Sequence, residues 1–485
     1  MPDDPYAGLE PAELWRHFAA LNAIPRPPGH EAAARDYVQQ IAEQAGAEWL
    51  TDARGNTVAR VAASPGCDGP TVAVQAHLDM VCETAGDSEH DCERDPIAVR
   101  REDDVVQATG TTLGADNGIG VAAALALLSD PDATPHGPLE LLFTVEEETG
   151  LHGASALDIS MLQAQALVNL DSEDDRALTV GCAGGADARL VLPVTREPTP
   201  AGRRGVALRV SGLRGGHSGV RIHEPHANAI VLAATAVARL LDAGLHHRIA
   251  SFTGGSAHNA IPREAVVELT FAKDASLAEA DKLLAELRRE WQEREPGLAI
   301  ELQDRPSPPG ETIAERDAAA LIGLLARLPH GVLAMSERYE DTVETSANLA
   351  ILTTDAAAVE ILMSVRSLAA GALAELQQRI AVEAESAGAV ATAGPGYPGW
   401  EPRERSPLLD ASIEAYREVY GERPAIVLVH GGLECGAIVS KRPSLDAISF
   451  GPTIEGAHTP EERVSVSSVG RSYELLLALL RRLAV

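Results

Sequence analysis

Residues 71–83 read TVAVQAHLDMVCE, and the reading of this stretch decides the fold. Residues 71–76 form a short, nearly continuous apolar run, which is the pattern of a strand buried on both faces. The run ends in His77, Leu78 and Asp79. On an extended segment a His and an Asp two residues apart point to the same face. An imidazole at a strand end with a carboxylate beside it is a common placement for a metal ligand and the group that orients it.

Working outward, the same style recurs. Residues 10–47 have the three- and four-residue apolar spacing of a helical pair, and 57–62 is a strand. The polar, acidic stretch 84–104 reads as a surface loop, followed by a strand at 105–108. GTTLGADNGIG at 110–120 is a Gly-rich turn with Asp116 at its centre, leading into an Ala-rich helix at 121–128. LELLFTV at 139–145 is a buried strand that runs into Glu146, Glu147 and Glu148, and 166–170 is another that ends at Asp171. Short apolar strands alternating with helices imply an α/β domain, a mixed sheet with helices on both faces. After about residue 190 the strands at 206–213, 265–272, 298–303 and 347–366 look half-exposed, with helices at 227–243, 276–295, 315–328 and 372–388, which is an α+β pattern. GPGYPGW at 394–400 reads as a linker. The α/β style then returns, with helix 407–420, strands 425–430 and 444–450, a loop holding His458 and a closing helix at 467–483. The expected organisation is a catalytic domain in two pieces, 1–188 and 391–485, with an inserted α+β lid domain at 189–390.

At 485 residues the chain is too long for one ordinary core, in keeping with two domains. It has no run of about 18 apolar residues, so no membrane span is expected. Its first residues lack an apolar signal region, so a cytoplasmic location is expected. The net charge of −31 argues against nucleic acid as a partner and favours attraction for cations. The cysteines, Cys67, Cys82, Cys92, Cys182 and Cys435, are odd in number and irregular in spacing, which suggests neither a zinc ribbon nor a disulfide framework.

His77, Asp116, Glu147, Glu148 and Asp171 all follow predicted strands, where α/β sheets bind their ligands, and the loop carrying His458 can join them. Each has a plain structural reading: Asp116 as a helix cap, Glu146–Glu148 as a solvated acidic turn, Asp171 as a turn cap, His458 as an ordinary loop residue. Five such residues converging at strand ends point instead to a shared site. Two His and several carboxylates suit Zn²⁺, Mn²⁺ or Co²⁺. They exceed the needs of one ion, and two ions about 3.5–4 Å apart, bridged by a carboxylate, would neutralise them.

The stretches QAHLDMV, GTTLGADNGIG, EEETG, NLDSED, GCAGG, GLRGGHSG, HNAIPRE, YPGW, GLECG and GPTIEGAHTPEE resemble the M20 metallopeptidases, most closely their aminoacyl-histidine dipeptidase branch. The resemblance implies that His77 and Asp171 hold one metal, Glu148 and His458 the other, and that Asp116 bridges them. It implies that Asp79 orients His77, that Glu147 is the general base, and that His217 of the lid stabilises the oxyanion, with His223 next in line. Arg366 would receive the substrate carboxylate, and Asn259 would touch substrate. Two departures stand out: Glu146 adds a third acid beside base and ligand, and His430-Gly431-Gly432 replaces the more usual His-Ala-Gly.

The expected activity is hydrolysis of Xaa-His and other unblocked dipeptides, with two Zn²⁺ per chain and with homodimerisation left open. The nearest alternatives are a tripeptidase or an N-acyl amino acid deacylase or desuccinylase. A metal-binding scaffold without activity has no use for Glu147. A nucleotide site is excluded, because no Gly-rich phosphate fingerprint opens the first strand–helix unit.

Overall fold

The computed structural model describes residues 4–86 and 88–485. It divides into one unit made of Met1–Cys182 with Tyr397–Val485, and a second made of Ala183–Gly396.

The first unit is organised on an eight-stranded sheet. Its order is Glu48–Thr51, Thr57–Val61, Leu139–Thr144, Val72–His77, Ala166–Asn169, Asp446–Ser449, Ala177–Cys182, Ala425–Val429. Val72–His77 runs parallel to Leu139–Thr144 and to Ala166–Asn169, which is in turn parallel to Asp446–Ser449. Alternate residues serve opposite cores. Val72, Val74, Ala76, Leu141 and Phe143 pack on one face against helices Ala12–Asn22, Ala32–Gln44, Ala115–Ser129 and Val466–Leu483, through Phe18, Val38, Leu125 and Leu476. Ala73, Leu142, Leu167 and Ala447 pack on the other, against Ile438 and Trp400. Burial on both faces is why these strands read as apolar runs, and each fully buried Leu, Val or Phe contributes about 1.5–3 kcal/mol. A smaller sheet joins Val99–Glu102, Val105–Ala108, Arg463–Ser465 and Ile454–Glu455.

The second unit is a nine-stranded sheet in the order Ala299–Asp304, Arg203–Ser211, Ala265–Ala272, His247–Gly254, Val343–Thr354, Ala358–Ser367, Gly184–Pro193, Val390–Tyr397, with Gly331–Met335 added on Val343–Thr354. Helices Ala229–Asp242, Leu277–Trp291, Glu315–Arg327 and Ala370–Ser386 share one apolar core with it. Half-buried strands with helices on one face are the α+β arrangement.

Several expectations need correction. GPGYPGW is not a free linker: Val390–Tyr397 is an edge strand, a position that tolerates Pro395. Trp400 is buried and exchanges two main-chain hydrogen bonds of 2.9 Å with Cys182. The loop 84–104 contains the strand Val99–Glu102, whose exposure disguised it. The run 347–366 is two strands, Val343–Thr354 and Ala358–Ser367, turned at 355–357. Cys82 and Cys92 form a disulfide, which their isolated spacing did not suggest.

His17 is fully buried, with Nδ1 2.7 Å from the Tyr37 hydroxyl and Nε2 2.8 Å from that of Ser129. Burial first, then Arg16 beside it, brings its pKa from 6.5 down to about 4. Below pH 6.5 the unfolded chain therefore binds a proton that the folded chain refuses. Stability is complete above that pH and is lost as the pH falls toward about 4, by up to about 3 kcal/mol. Denaturant midpoints of wild type and His17→Gln across this window check the point, and the variant is expected to lose that part of the slope.

Candidate metal centre

Strands Val72–His77, Leu139–Thr144, Ala166–Asn169 and Asp446–Ser449 are parallel, so their carboxyl ends lie on one rim of the sheet, where open α/β sheets bind ligands. His77 closes the first strand, Glu147 and Glu148 follow the second, and Asp171 follows the third. His458 sits at φ 63° on the loop between Ile454–Glu455 and Arg463–Ser465, beyond the fourth. Asp116 lies at the start of Ala115–Ser129. Its own φ −80°, ψ 110° and the φ −108°, ψ 30° of Asn117 depart from the helix, and the peptide between them is cis.

These side chains meet. His77 Nε2 is 3.1 Å from Asp116 Oδ1 and 3.3 Å from Asp171 Oδ1. His458 Nε2 is 3.1 Å from Asp116 Oδ2 and 3.0 Å from Glu148 Oε2. Each oxygen of Asp116 thus faces a different imidazole. Ligand atoms of His77, Asp116 and Asp171 form one group within 4.8 Å, those of Asp116, Glu148 and His458 a second, and those of His77, Glu147 and Glu148 a third. Glu148 Oε1 is buried without a hydrogen-bond partner among the described residues, an acceptor that a cation would satisfy. The nitrogen and oxygen donors fit Zn²⁺ and similar divalent ions.

Without cations, protons carry the neutralisation. Burial would depress His77, but Asp171, Asp116 and Asp79 raise it well above its ordinary value. Burial likewise opposes His458, whose hydrogen bonds to Asp116 and Glu148 raise it to about 11. Burial works to raise Asp116, yet the two imidazoles hold it well below the usual carboxylate range. Burial lifts Asp171 to about 7, with Asp116 and Glu148 adding to the effect against His77. Burial, then Glu148, Asp171 and Glu434, raise Glu147 well above a normal glutamate, with His77 opposing them. Two imidazoles holding protons beside four acids are groups that would give up those protons to bound cations.

Asp79 has more than one task. His77 Nδ1 lies 3.1 Å from the Asp79 main-chain carbonyl and 3.5 Å from its carboxylate. That carboxylate also accepts the N–H groups of Glu147 and Glu148, each at 3.0 Å, so one acid sets both His77 and the acidic turn. Glu146, the extra acid, pairs with Arg54 and His152, which leaves Glu147 and Glu148 in register with the centre.

Sequence reasoning missed three supporting residues. The Glu462 carboxylate, buried, accepts the N–H groups of Leu113 (2.8 Å), Gly114 (3.0 Å), Ala115 (2.8 Å) and Asp116 (3.3 Å). The buried Arg26 guanidinium donates to the carbonyls of Leu78 (3.0 Å), Asp79 (3.1 Å) and Gly114 (2.7 Å), strapping the His77 strand end to the Asp116 turn. Gly114 has φ 69°, and a Cβ there would come within 2.6 Å of Arg26 and closer to Met80, so only glycine fits. Glu434, fully buried, accepts from Gln75 Nε2 (2.5 Å) and Thr144 Oγ1 (2.6 Å). Glu462 sits four residues past His458 in PEE, which reads as an exposed acidic turn, and that spacing was its only signal.

The remaining candidates belong to the second unit. His217, on the two-residue strand Gly216–His217, pairs opposite Ala260. Its Nδ1 accepts the N–H groups of Gly219 and Val220 at 3.2 Å each, which places the ring proton of the neutral form on Nε2. Asn259 is its neighbour, with its carbonyl accepting Ser218 N–H at 2.7 Å. Arg366, buried, lies on Ala358–Ser367 opposite Ser346 and Gly185. His223 is exposed, in the turn before Ala229–Asp242.

Comparison with known proteins places this geometry in context. Residues 73–482 match the model of peptidase family M20/M25/M40. The chain is 39% identical over 482 residues to the cytosol non-specific dipeptidase of Escherichia coli K12, covering 98% of each. It is similar to the solved aminoacylhistidine dipeptidase of Vibrio alginolyticus, with a TM-score of 0.85 and 36% identity over 99% of this chain and 98% of that one. Aminopeptidase PepT of Bacillus cereus, at 19% identity and a TM-score of 0.57 over 98% of this chain and 100% of that one, shares the fold.

Replacing Glu462 by Gln turns an NH₂ group toward backbone N–H donors while keeping the shape. The Asp116 turn should loosen and metal affinity should fall by about 10–100-fold, the usual effect of losing a group that orients a ligand. Competition against a chromophoric chelator measures it, with circular dichroism to show that the fold persists.

Proposed function

We propose a function from one premise: the chain belongs to peptidase family M20/M25/M40. In this reading it is a dipeptidase that uses two divalent cations to hydrolyse Xaa-His and other unblocked dipeptides. The observation that carries it is Asp116, whose two oxygens each meet a different imidazole, as a carboxylate shared by two ions must. His77 and Asp171 would hold one cation with Asp116, and Glu148 and His458 the other. Zn²⁺ suits this donor set best, and Mn²⁺ or Co²⁺ could replace it. The names of the two similar dipeptidases support the substrate class.

When bound, the cations polarise the scissile carbonyl and make water nucleophilic at neutral pH. The residues supply the rest. Glu147, anchored through its N–H to Asp79, takes the proton of the attacking water on a carboxylate oxygen and passes it to the leaving amine nitrogen. Burial favours its protonated form, and neighbouring cations would oppose this, so the group can both accept and release a proton. Asp79 fixes His77 in the tautomer that offers Nε2 to the site. His217, with its proton on Nε2, is the donor for the developing oxyanion. The Arg366 fork suits the free carboxylate of a dipeptide, with Asn259 and His223 as further substrate contacts. The Escherichia coli relative is named as a cytosolic enzyme, which supports a cytoplasmic location.

Glu147→Gln tests the reading. Turnover of Xaa-His dipeptides should fall by about 10²–10⁴-fold, while metal analysis still finds two cations per chain. Turnover at the wild-type rate would overturn the role of Glu147.

A further inference from the structure

Away from the metal centre, a second kind of ligand group comes together in the first unit. Cys82, His90 and Cys92 bring two sulfurs and a ring nitrogen within 4.8 Å of one another. The sulfurs are joined in a disulfide that closes a loop between residues ten apart. All three residues are half-buried. His90 Nε2 is screened from solvent and has no hydrogen-bond partner among the described residues. A buried polar nitrogen left in that condition is destabilising, and a ligand would relieve it. Glu83, Glu89, Asp91, Glu93 and Asp95 crowd the same stretch and favour a cation there over an anion.

We propose that, once the disulfide is reduced, Cys82, Cys92 and His90 form a binding site for a thiophilic divalent cation such as Zn²⁺, separate from the hydrolytic centre. A dithiol reductant supplies two electrons and two protons. The sulfur–sulfur bond breaks to two thiols, and the reductant leaves as its own disulfide. On cation binding each thiol releases its proton to water, and neutral His90 contributes a nitrogen lone pair. Three protein donors leave the fourth position to water. Thiolates select Zn²⁺ over the harder ions that oxygen donors accept, which sets this site apart chemically from the His and carboxylate centre.

The position gives the site a structural purpose. Thr84 bridges Thr111, Thr112 N–H donates to the Glu83 carbonyl at 3.0 Å, and Glu83 N–H donates to Thr112 Oγ1 at 3.2 Å. Residues 110–112 lead directly into the turn that carries Asp116. Disulfide and cation would close the same loop against that turn, one under oxidising and the other under reducing conditions.

Cobalt distinguishes the two sites, because only sulfur ligands give near-ultraviolet thiolate-to-cobalt absorption. The full-length chain, reduced and handled without oxygen, is titrated with Co²⁺. The band should appear, saturate at one thiolate-bound cation per chain and bleach on adding Zn²⁺. It should be lost in Cys92→Ser and in wild-type protein whose disulfide has been re-formed, and be weakened in His90→Ala. The re-oxidised wild type makes the test independent of how the variants fold. Absence of the band in the reduced chain overturns the proposal, as does a band of equal strength in Cys92→Ser, which would place the thiolate elsewhere, as at Cys67.

Discussion

Asp116 lies between two imidazoles, with one of its oxygens against each, and the rest of the first unit is arranged to keep it there. Four carboxylates and two histidines converge on this spot from strand ends remote in sequence. Two carboxylates about 4 Å apart repel by about 4 kcal/mol at the effective dielectric typical of proteins, so the cluster is stable only when protons or cations neutralise it. His77 and His458 are both raised by the acids beside them against the opposing effect of burial, His458 to about 11, so the pocket favours positive charge.

Holding acids together takes backbone as well as side chains. Glu462 spends its charge on four successive N–H groups of the Asp116 turn, and Asp79 accepts two from the acidic turn. Arg26 ties the end of the His77 strand to the Asp116 turn through three carbonyls. Burial lowers that guanidinium to about 10, against the pull of Glu462, Asp79, Asp116 and Glu148, so it stays charged at neutral pH. Residues 26, 78, 114 and 462 are thereby joined at one place, which makes the integrity of the site inseparable from the packing of the sheet and its helices.

What could be read in the sequence follows from this physics. Strands buried on both faces print as mostly apolar runs, so 71–76, 139–145 and 166–170 were legible, and so were the acids and the histidine at their ends. Residues that work on main-chain groups leave no such print. Glu462 looks like any surface glutamate, and Arg26, in PRPPG, looks like part of a loop. The helix start was obscured because Asp116 and Asn117 leave helical geometry within it. Pro-Gly pairs at 394–396 signalled a linker where an edge strand absorbs them, and two cysteines ten residues apart gave no sign of pairing.

The central claim is that Asp116 is shared by two cations. Anomalous diffraction at the zinc edge from crystals of the zinc-loaded protein tests it directly. Two peaks are predicted, one among His77, Asp116 and Asp171 and one among Asp116, Glu148 and His458, with Asp79 and Glu147 bound to neither. A single peak, or a pair of peaks that leaves Asp116 uncoordinated, would contradict it.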